Sequence, residues 1–517
     1  MRCLLIIALL GSVAYAQEAP PADAPQPAET PPSETPPEVA PADVLPALPP
    51  EPPKVEAFDA TKPEDQPTAP KPTEASGVSV PEPVTGEGGR TVARVVLFVP
   101  RWTFWAITQP FRGIGWLYEH YQLQERVKGV LFNYDGTYGM YPVARYSSEY
   151  GIDFGLRFVH YNLAGDHEKM RLRADFGGQF QQAYGIILTS GSRFGSKFNV
   201  SLDALYERRP NERFFGIGNA NEPKTPPTTP LDPSLANAAS DSRFRQNWFH
   251  TAINFEYKPI PSIALRSNNA IALRKFENAS GSDPYDPTSS TATVDNGIEQ
   301  RFDTSKLIGY DSGVKNLYFE LEAIYDTRRP SSRFQPPVFE TTGMYASIHG
   351  GRAAGIDGDP TAFWRYGGEV QKLFDLYEGT RVLTLRAMID AVADGNGRTD
   401  NNISFIDLPR LGGVDWLRGY PDGRFRDKAV TLVTAEYGWD LGNFVSSYLF
   451  LDGGRTWSTL EKVQPDSLHY GFGGGIELHT NDKFLMRGQL AFSREGDVFI
   501  ELAVRPAFGR RERAGRY

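Results

Sequence analysis

Residues 470–478 read Tyr470-Gly471-Phe472-Gly473-Gly474-Gly475-Ile476-Glu477-Leu478. A period of two puts Tyr470, Phe472, Ile476 and Leu478 on one face of an extended chain, and three glycines with Glu477 on the other. The alternation returns in 483–491, where Phe484, Met486 and Leu490 oppose Arg487 and Gln489, and in 498–504, where Val498, Ile500, Leu502 and Val504 oppose Glu501. It is present again far upstream, with Met170, Leu172 and Phe176 set against Arg171, Arg173 and Asp175. One apolar face and one charged or glycine-rich face, over about ten residues, is the pattern of a strand that crosses a bilayer. A soluble sandwich alternates in the same way, so the connections between strands must separate the two.

Strands placed near 130, 152, 168, 182, 195, 243, 262, 311, 341, 361, 380, 429, 444, 468, 483 and 497 number sixteen. One set of alternate connections is then short: 162–166, 190–195, 258–262, 376–379, 441–443 and 479–482, with 327–340 as its one longer member. The other set holds the long polar excursions 209–242, 278–310, 392–428 and 456–466. Loops sorted by parity, an even strand number and both termini on the short-turn side fit a barrel in the bacterial outer membrane with periplasmic termini. The fold expected is all-β, a 16-stranded antiparallel transmembrane β-barrel over 129–508, and its first partner is outer-membrane lipid.

Ahead of the barrel the composition changes twice. Residues 1–16 read as a signal peptide, with Arg2 before the apolar run 4–10 and Ala14-Tyr15-Ala16 as a small-x-small cleavage site. Cys3, the single cysteine, lies in this leader, so the mature chain would hold no disulfide or thiolate metal site. Residues 17–90 form a Pro/Ala/Glu-rich linker with about half of the 41 prolines, fourteen acidic and four basic side chains. Such a segment buries too little apolar surface to offset its ordering entropy and is expected to be disordered in the periplasm. The net charge of -9 therefore sits in the linker, and a near-neutral remainder gives no electrostatic basis for nucleic-acid binding. Residues 91–125 mix Trp102, Trp105, Trp116 and Phe104 with Arg94, Arg101 and Arg112, as a short amphipathic interfacial helical segment would. A basic tail, 509–517, follows the last strand, whose final aromatic is Phe508.

The longest excursion carries Leu411-Gly412-Gly413-Val414-Asp415-Trp416-Leu417-Arg418-Gly419-Tyr420. Its tip, Leu417-Arg418-Gly419-Tyr420, resembles the aliphatic-Arg-Gly-aromatic tip of the sixth extracellular loop in the BamA/TamA superfamily of assembly and secretion barrels (the bacterial surface antigen family). Downstream, Ala435-Glu436-Tyr437 and Phe450-Leu451-Asp452-Gly453-Gly454 resemble the family's twelfth and thirteenth strands. Upstream, Tyr325-Asp326-Thr327-Arg328 resembles the turn before its ninth strand, and Phe214-Phe215-Gly216-Ile217-Gly218-Asn219 is another familiar segment. The resemblance implies a loop folded back into the lumen. By strand parity Glu436 and Asp452 face that lumen, where an arginine can fork across two carboxylates. Gly419 permits a tight turn, and Gly453 with Gly454 would leave room for the tip. Phe508 would be the C-terminal strand signal for assembly. The family's polypeptide-transport-associated (POTRA) domains are not matched, since the proline density of 17–90 forbids their βααββ pattern.

The seven histidines show no metal-ligand spacing, and no nucleophile elbow, P-loop or dinucleotide fingerprint occurs. Neither an enzyme nor a cofactor is implied. The resemblance points to insertion of proteins or lipids into the outer membrane, or their translocation across it, with outer-membrane or secreted proteins as clients. Two other functions fit the same composition. Arg171, Arg173, Arg386, Arg487 and Glu477 could line a passive or gated channel, and the Pro-rich arm could tether a periplasmic partner to a barrel that serves as its anchor.

Overall fold

The computed structural model describes residues 129–219, 242–279, 297–330, 340–395, 402–441, 444–464, 466–479 and 484–503, with Gln109, Gly113 and His120 as isolated positions upstream. The expected signal peptide, the Pro-rich linker, the rest of segment 91–125, Phe508 and the basic tail lie outside the described residues.

Eighteen strands occur among the described residues: β1 (Tyr138–Ser147), β2 (Gly151–His160), β3 (Lys169–Gly177), β4 (Phe180–Thr189), β5 (Phe198–Phe214), β6 (Ser242–Ile260), β7 (Ile263–Asn278), β8 (Val314–Asp326) and β9 (Gly343–Gly355). There follow β10 (Ala362–Asp375), β11 (Arg381–Asp394), β12 (Arg410–Leu411), β13 (Phe425–Arg426), β14 (Ala429–Asp440), β15 (Val445–Trp457), β16 (His469–His479), β17 (Phe484–Ser493) and β18 (Val498–Ala503). All but β12 and β13 close into one antiparallel barrel of sixteen strands, each paired with its sequence neighbour, and β18 returns to β1. No helix among the described residues is long and apolar enough to cross a membrane. The crossing elements are strands.

The side-chain distribution of β8 excludes the soluble sandwich. Leu317, Phe319 and Leu321 are 50%, 48% and 55% exposed, while Tyr318 and Glu320 between them are 0% and 1%. The same inversion puts Ile348, Trp364, Val370, Leu449, Leu451, Phe472 and Ile500 outside and Asp175, Glu207, Arg365 and Asp452 inside. A water-soluble protein would not expose so large a continuous apolar belt while burying its charges. Hydrocarbon outside, with every interior backbone group held by a closed ladder, resolves both.

Three boundaries differ from the sequence reading, each for a local reason. The first strand begins at Tyr138 rather than near 130, because Asn133-Tyr134-Asp135-Gly136 turns first: Gly136 takes φ 65° and its N–H donates to the Asn133 carbonyl. β5 runs past 209 to Phe214, with the ladder slipping between Arg209 and Glu212. β6 likewise runs to Ile260, with a slip after Tyr257. Pro210 and Pro259 sit at these slips, where a residue with no N–H is tolerated.

β5, β6 and β7 are 17, 19 and 16 residues long, against nine or ten for β1 to β4. About ten residues suffice to cross a bilayer, so the long strands project beyond it at the end that carries the long loops. There Phe214, Phe244, Phe276, Phe302, Tyr310 and Phe405 pack as an aromatic cluster. Phe405 stands at its centre, 4.9 Å from Phe276 and 5.6 Å from Phe214 between ring centroids. It belongs to the excursion between β11 and β14, which passes through this cap on its way into the barrel.

Candidate functional site: a loop anchored in the lumen

The excursion closes on itself before it reaches the wall. β12 and β13 pair Arg410 with Arg426 and Leu411 with Phe425, and a helical turn, Gly413–Trp416, lies between them. Gly412 takes φ 117°, and the Pro421 carbonyl occupies the place that a β-carbon would fill. Leu417 holds φ 156° although it is not glycine, a strain of roughly 1–3 kcal/mol that packing must outweigh. That packing is visible: Leu411, Trp416, Leu417, Tyr420 and Phe425 bury themselves against Met388, Val430 and Leu432 of β11 and β14.

Leu417 thereby aims Arg418 at the wall. The Arg418 backbone N–H and Nε donate to Asp452 Oδ2 at 3.0 and 2.8 Å, and Nη2 donates to Oδ1 at 2.8 Å. Nη1 donates to Glu436 Oε2 at 2.6 Å. The Phe450 ring lies 3.6 Å from the guanidinium carbon, adding a cation–π contact inside the barrel. The structure thus brings Arg418, Glu436 and Asp452 together. Tyr420, also at the tip, donates its hydroxyl to the Tyr470 carbonyl at 3.2 Å.

The glycines divide differently from the sequence expectation. Gly454 approaches Leu411 of the loop, but Gly453 meets Val433, Tyr470 and Leu468 and makes no approach to the tip. The residue that admits the tip is Gly471 on β16, where a β-carbon would overlap the Arg418 carbonyl oxygen. Alternation placed Gly471 on the lumen face, and that was its only signal in the sequence.

A second arginine extends the network. Arg487 donates from Nη2 to Glu436 at 3.1 Å, from Nη1 to Glu477 at 3.1 Å, and from Nε to the Tyr448 hydroxyl at 2.6 Å. Tyr448 in turn donates to Gln489 at 3.3 Å, and Gln489 Nε2 to Glu501 at 2.8 Å. A continuous chain of hydrogen bonds therefore runs from the loop tip through Glu436 of β14, Arg487 of β17, Tyr448 of β15 and Gln489 of β17 to Glu501 of β18, with Glu477 of β16 as a side branch. Among the described residues, β18 meets β1 in register at Tyr146↔Leu502 and Ser147↔Glu501. The chain ends on β18, the strand that closes the barrel against β1.

The loop has a second anchor that the sequence did not disclose. Asp407 accepts from Arg274 at 2.6 Å and from Asn316 at 3.4 Å, and its carbonyl accepts from Arg365 at 3.1 Å. All four side chains are buried. The polarity is reversed relative to the tip: here the loop supplies the carboxylate and the wall the arginines. The segment 214–219 helps to hold the loop, since the Gly218 N–H donates to the Arg426 carbonyl at 2.6 Å and Asn219 Nδ2 to the Thr456 carbonyl at 3.0 Å. Arg328, in the turn after β8, is held on Asp326 and against the Tyr345 ring.

No family model and no curated protein matches the chain. Among solved structures, BamA from Haemophilus ducreyi lacking POTRA domains 1–3 is similar with a TM-score of 0.49 and 11% identity, over 71% of this chain and 70% of that one. CdiB from Acinetobacter baumannii and CdiB from Escherichia coli are each similar with a TM-score of 0.41 and 11% identity over 71% of this chain. The matches span 58% and 62% of those two chains, less than two thirds of their length. The chain is a sixteen-stranded barrel structurally similar to the barrels of BamA and CdiB.

Proposed function

We propose that this protein is a bacterial outer-membrane barrel, with periplasmic termini, that assists proteins or lipids to insert into or cross that membrane. The observation that carries the reading is the luminal loop: its Arg418 is bound to Asp452 and Glu436, and the same network continues to the seam strand β18. A barrel that opens between β1 and β18 exposes strand edges on which an incoming strand can pair. The tip would hold β14 to β17 in register while the seam moves. The motif resemblance read from residues 214–454 supplies the direction of the proposal.

Depleting the protein and quantifying the outer-membrane proteome tests it. Loss of a defined set of barrels or surface proteins, with their precursors accumulating in the periplasm, supports the role and identifies the clients. An unchanged proteome refutes it.

A channel fits the lumen less well. Arg173, Arg386 and Arg487 are each engaged with carboxylates, and the loop stands in the pore. Large steady conductance across a planar bilayer would favour the channel instead. The tether reading is tested by deleting 17–90: a truncated barrel with full function removes it.

A further inference from the structure

The outer face of β9 carries a cation that the fold leaves to its surroundings. Ile348, Gly350 and Arg352 are exposed and alternate with the buried His349, Gly351 and Ala353, so all three point away from the lumen. Arg352 is the tenth residue of the strand counted from Gly343, and about ten residues cross a bilayer. It therefore stands at the edge of the hydrocarbon on the side that carries the long loops. Directly opposite it in the ladder are Phe319 of β8 and Trp364 of β10. Its guanidinium carbon lies 5.1 Å from the Trp364 ring centroid.

Three other outward-facing cations at this end are engaged: Arg245 pairs with Glu277 at 3.2 Å, Lys315 pairs with Asp357, and Arg455 donates to the Ser467 carbonyl at 2.8 Å. Arg352 is in no ion pair among the described residues. The two carboxylates of the turn between β9 and β10 are already used. Lys315 takes Asp357, and the Lys315 and Thr361 backbone N–H groups donate to Asp359 at 2.5 and 2.8 Å. Stacking on an indole engages none of the guanidinium N–H donors and cancels no charge. A charge beside hydrocarbon stays costly until an anion meets it.

Next to Arg352 the surface is hollow, since a β-carbon on Gly350 would meet nothing within 4 Å. The exposed side chains of Leu321 and Tyr366 stand directly opposite Gly350 on the two neighbouring strands. With Phe319 and Trp364 they wall a furrow that glycine floors and that Arg352 heads.

We propose that Arg352 binds a phosphate of a phosphorylated glycolipid in the outer leaflet, and that the Gly350 furrow seats one of its acyl chains. The inference rests on the placement proposed above, with periplasmic termini and the long loops therefore outside, because that leaflet is where such a glycolipid lies. A planar guanidinium fork matches phosphate oxygens, and an indole beside it suits the headgroup level. A protein carboxylate would satisfy the charge, but the furrow runs on toward Ile348 into the apolar belt, where an acyl chain fits.

Native mass spectrometry of the full chain in neutral detergent, with diphosphoryl lipid A as the probe, tests this. The native barrel should retain one lipid A. Arg352→Gln should weaken retention by about ten- to a hundredfold, the range for losing hydrogen bonds to a charged group. Removing the phosphates from the lipid should weaken the native barrel by the same factor and leave Arg352→Gln unaffected. Gly350→Leu fills the furrow without altering charge and should weaken both lipids alike. Unchanged retention by Arg352→Gln, or a native barrel that holds the dephosphorylated lipid as tightly, overturns the phosphate contact. Phosphatidylglycerol held as tightly as lipid A overturns the glycolipid, and a barrel that retains no lipid A leaves Arg352 to a protein carboxylate and overturns the whole. If Arg352→Gln does not fold, Gly350→Leu carries the test, and full retention there is equally fatal. Retention is read on the purified barrel, so its failure leaves the depletion experiment to decide the proposed function separately.

Discussion

Arg418 reaches Asp452 through three donors, and both oxygens of that one carboxylate are taken. The backbone N–H among them fixes the chain as well as the side chain. A guanidinium fork matches a carboxylate in a way that an ammonium cannot, and here Nη1 is left to bind Glu436 as well.

Arg418→Ala should destabilise the barrel by about 3–5 kcal/mol, because it removes the arginine from the buried Asp452 and leaves Glu436 with Arg487 alone. Arg418→Lys should recover less than half of that. Resistance of the folded band to unfolding in detergent on heating measures both, and equal stability of all three forms contradicts the geometry.

Gly471→Ala should expel the tip although it alters no charge. The new methyl would occupy the space of the Arg418 carbonyl oxygen, and overpacking of this kind costs about 1–3 kcal/mol or displaces the smaller partner. Protease accessibility of the loop should rise in Gly471→Ala and not in Gly453→Ala, whose new methyl would face Val433 and Tyr470.

Asp407→Ala should cost about 3–5 kcal/mol by leaving the buried Arg274 without its carboxylate. Combined with Arg418→Ala, the losses should fall short of their sum, since a loop already released at one end has less left to lose. Additive denaturation energies would show that the two anchors act on separate bodies.

A disulfide between Tyr146→Cys and Leu502→Cys joins residues directly opposite across the seam, where antiparallel α-carbons lie within bridging range. The bridged barrel should remain folded and lose its cellular role until reduced. Full function in the oxidised form would mean that the seam need not open.

The barrel was legible because its signal is repeated: β3, β16, β17 and β18 each alternate, and an error in one strand is outvoted by the others. Loop lengths supplied the rest, so the strand number and order agree with the structure. Boundaries were misplaced at Pro210 and Pro259, where proline reads as a loop but a bulge absorbs it. At the site, Arg418, Glu436 and Asp452 could be named from a motif and from parity. Asp407, Gly471 and Tyr448 could not, since each matters through a partner far away in sequence, and one chain read alone does not reveal such pairings.

The two anchors of the loop also divide its hold between the two halves of the barrel. Asp407 is met by β7, β8 and β10, which precede it in the chain, whereas Arg418 is met by β14 and β15, which follow it. The strands that grip Asp407 and those that grip Arg418 lie on opposite sides of the loop in the chain, so the one excursion fastens the two halves of the barrel to each other. The loop is thus a tie across the interior of the cylinder, and a chain that loses its hold at Asp407 keeps it fastened to the later strands alone.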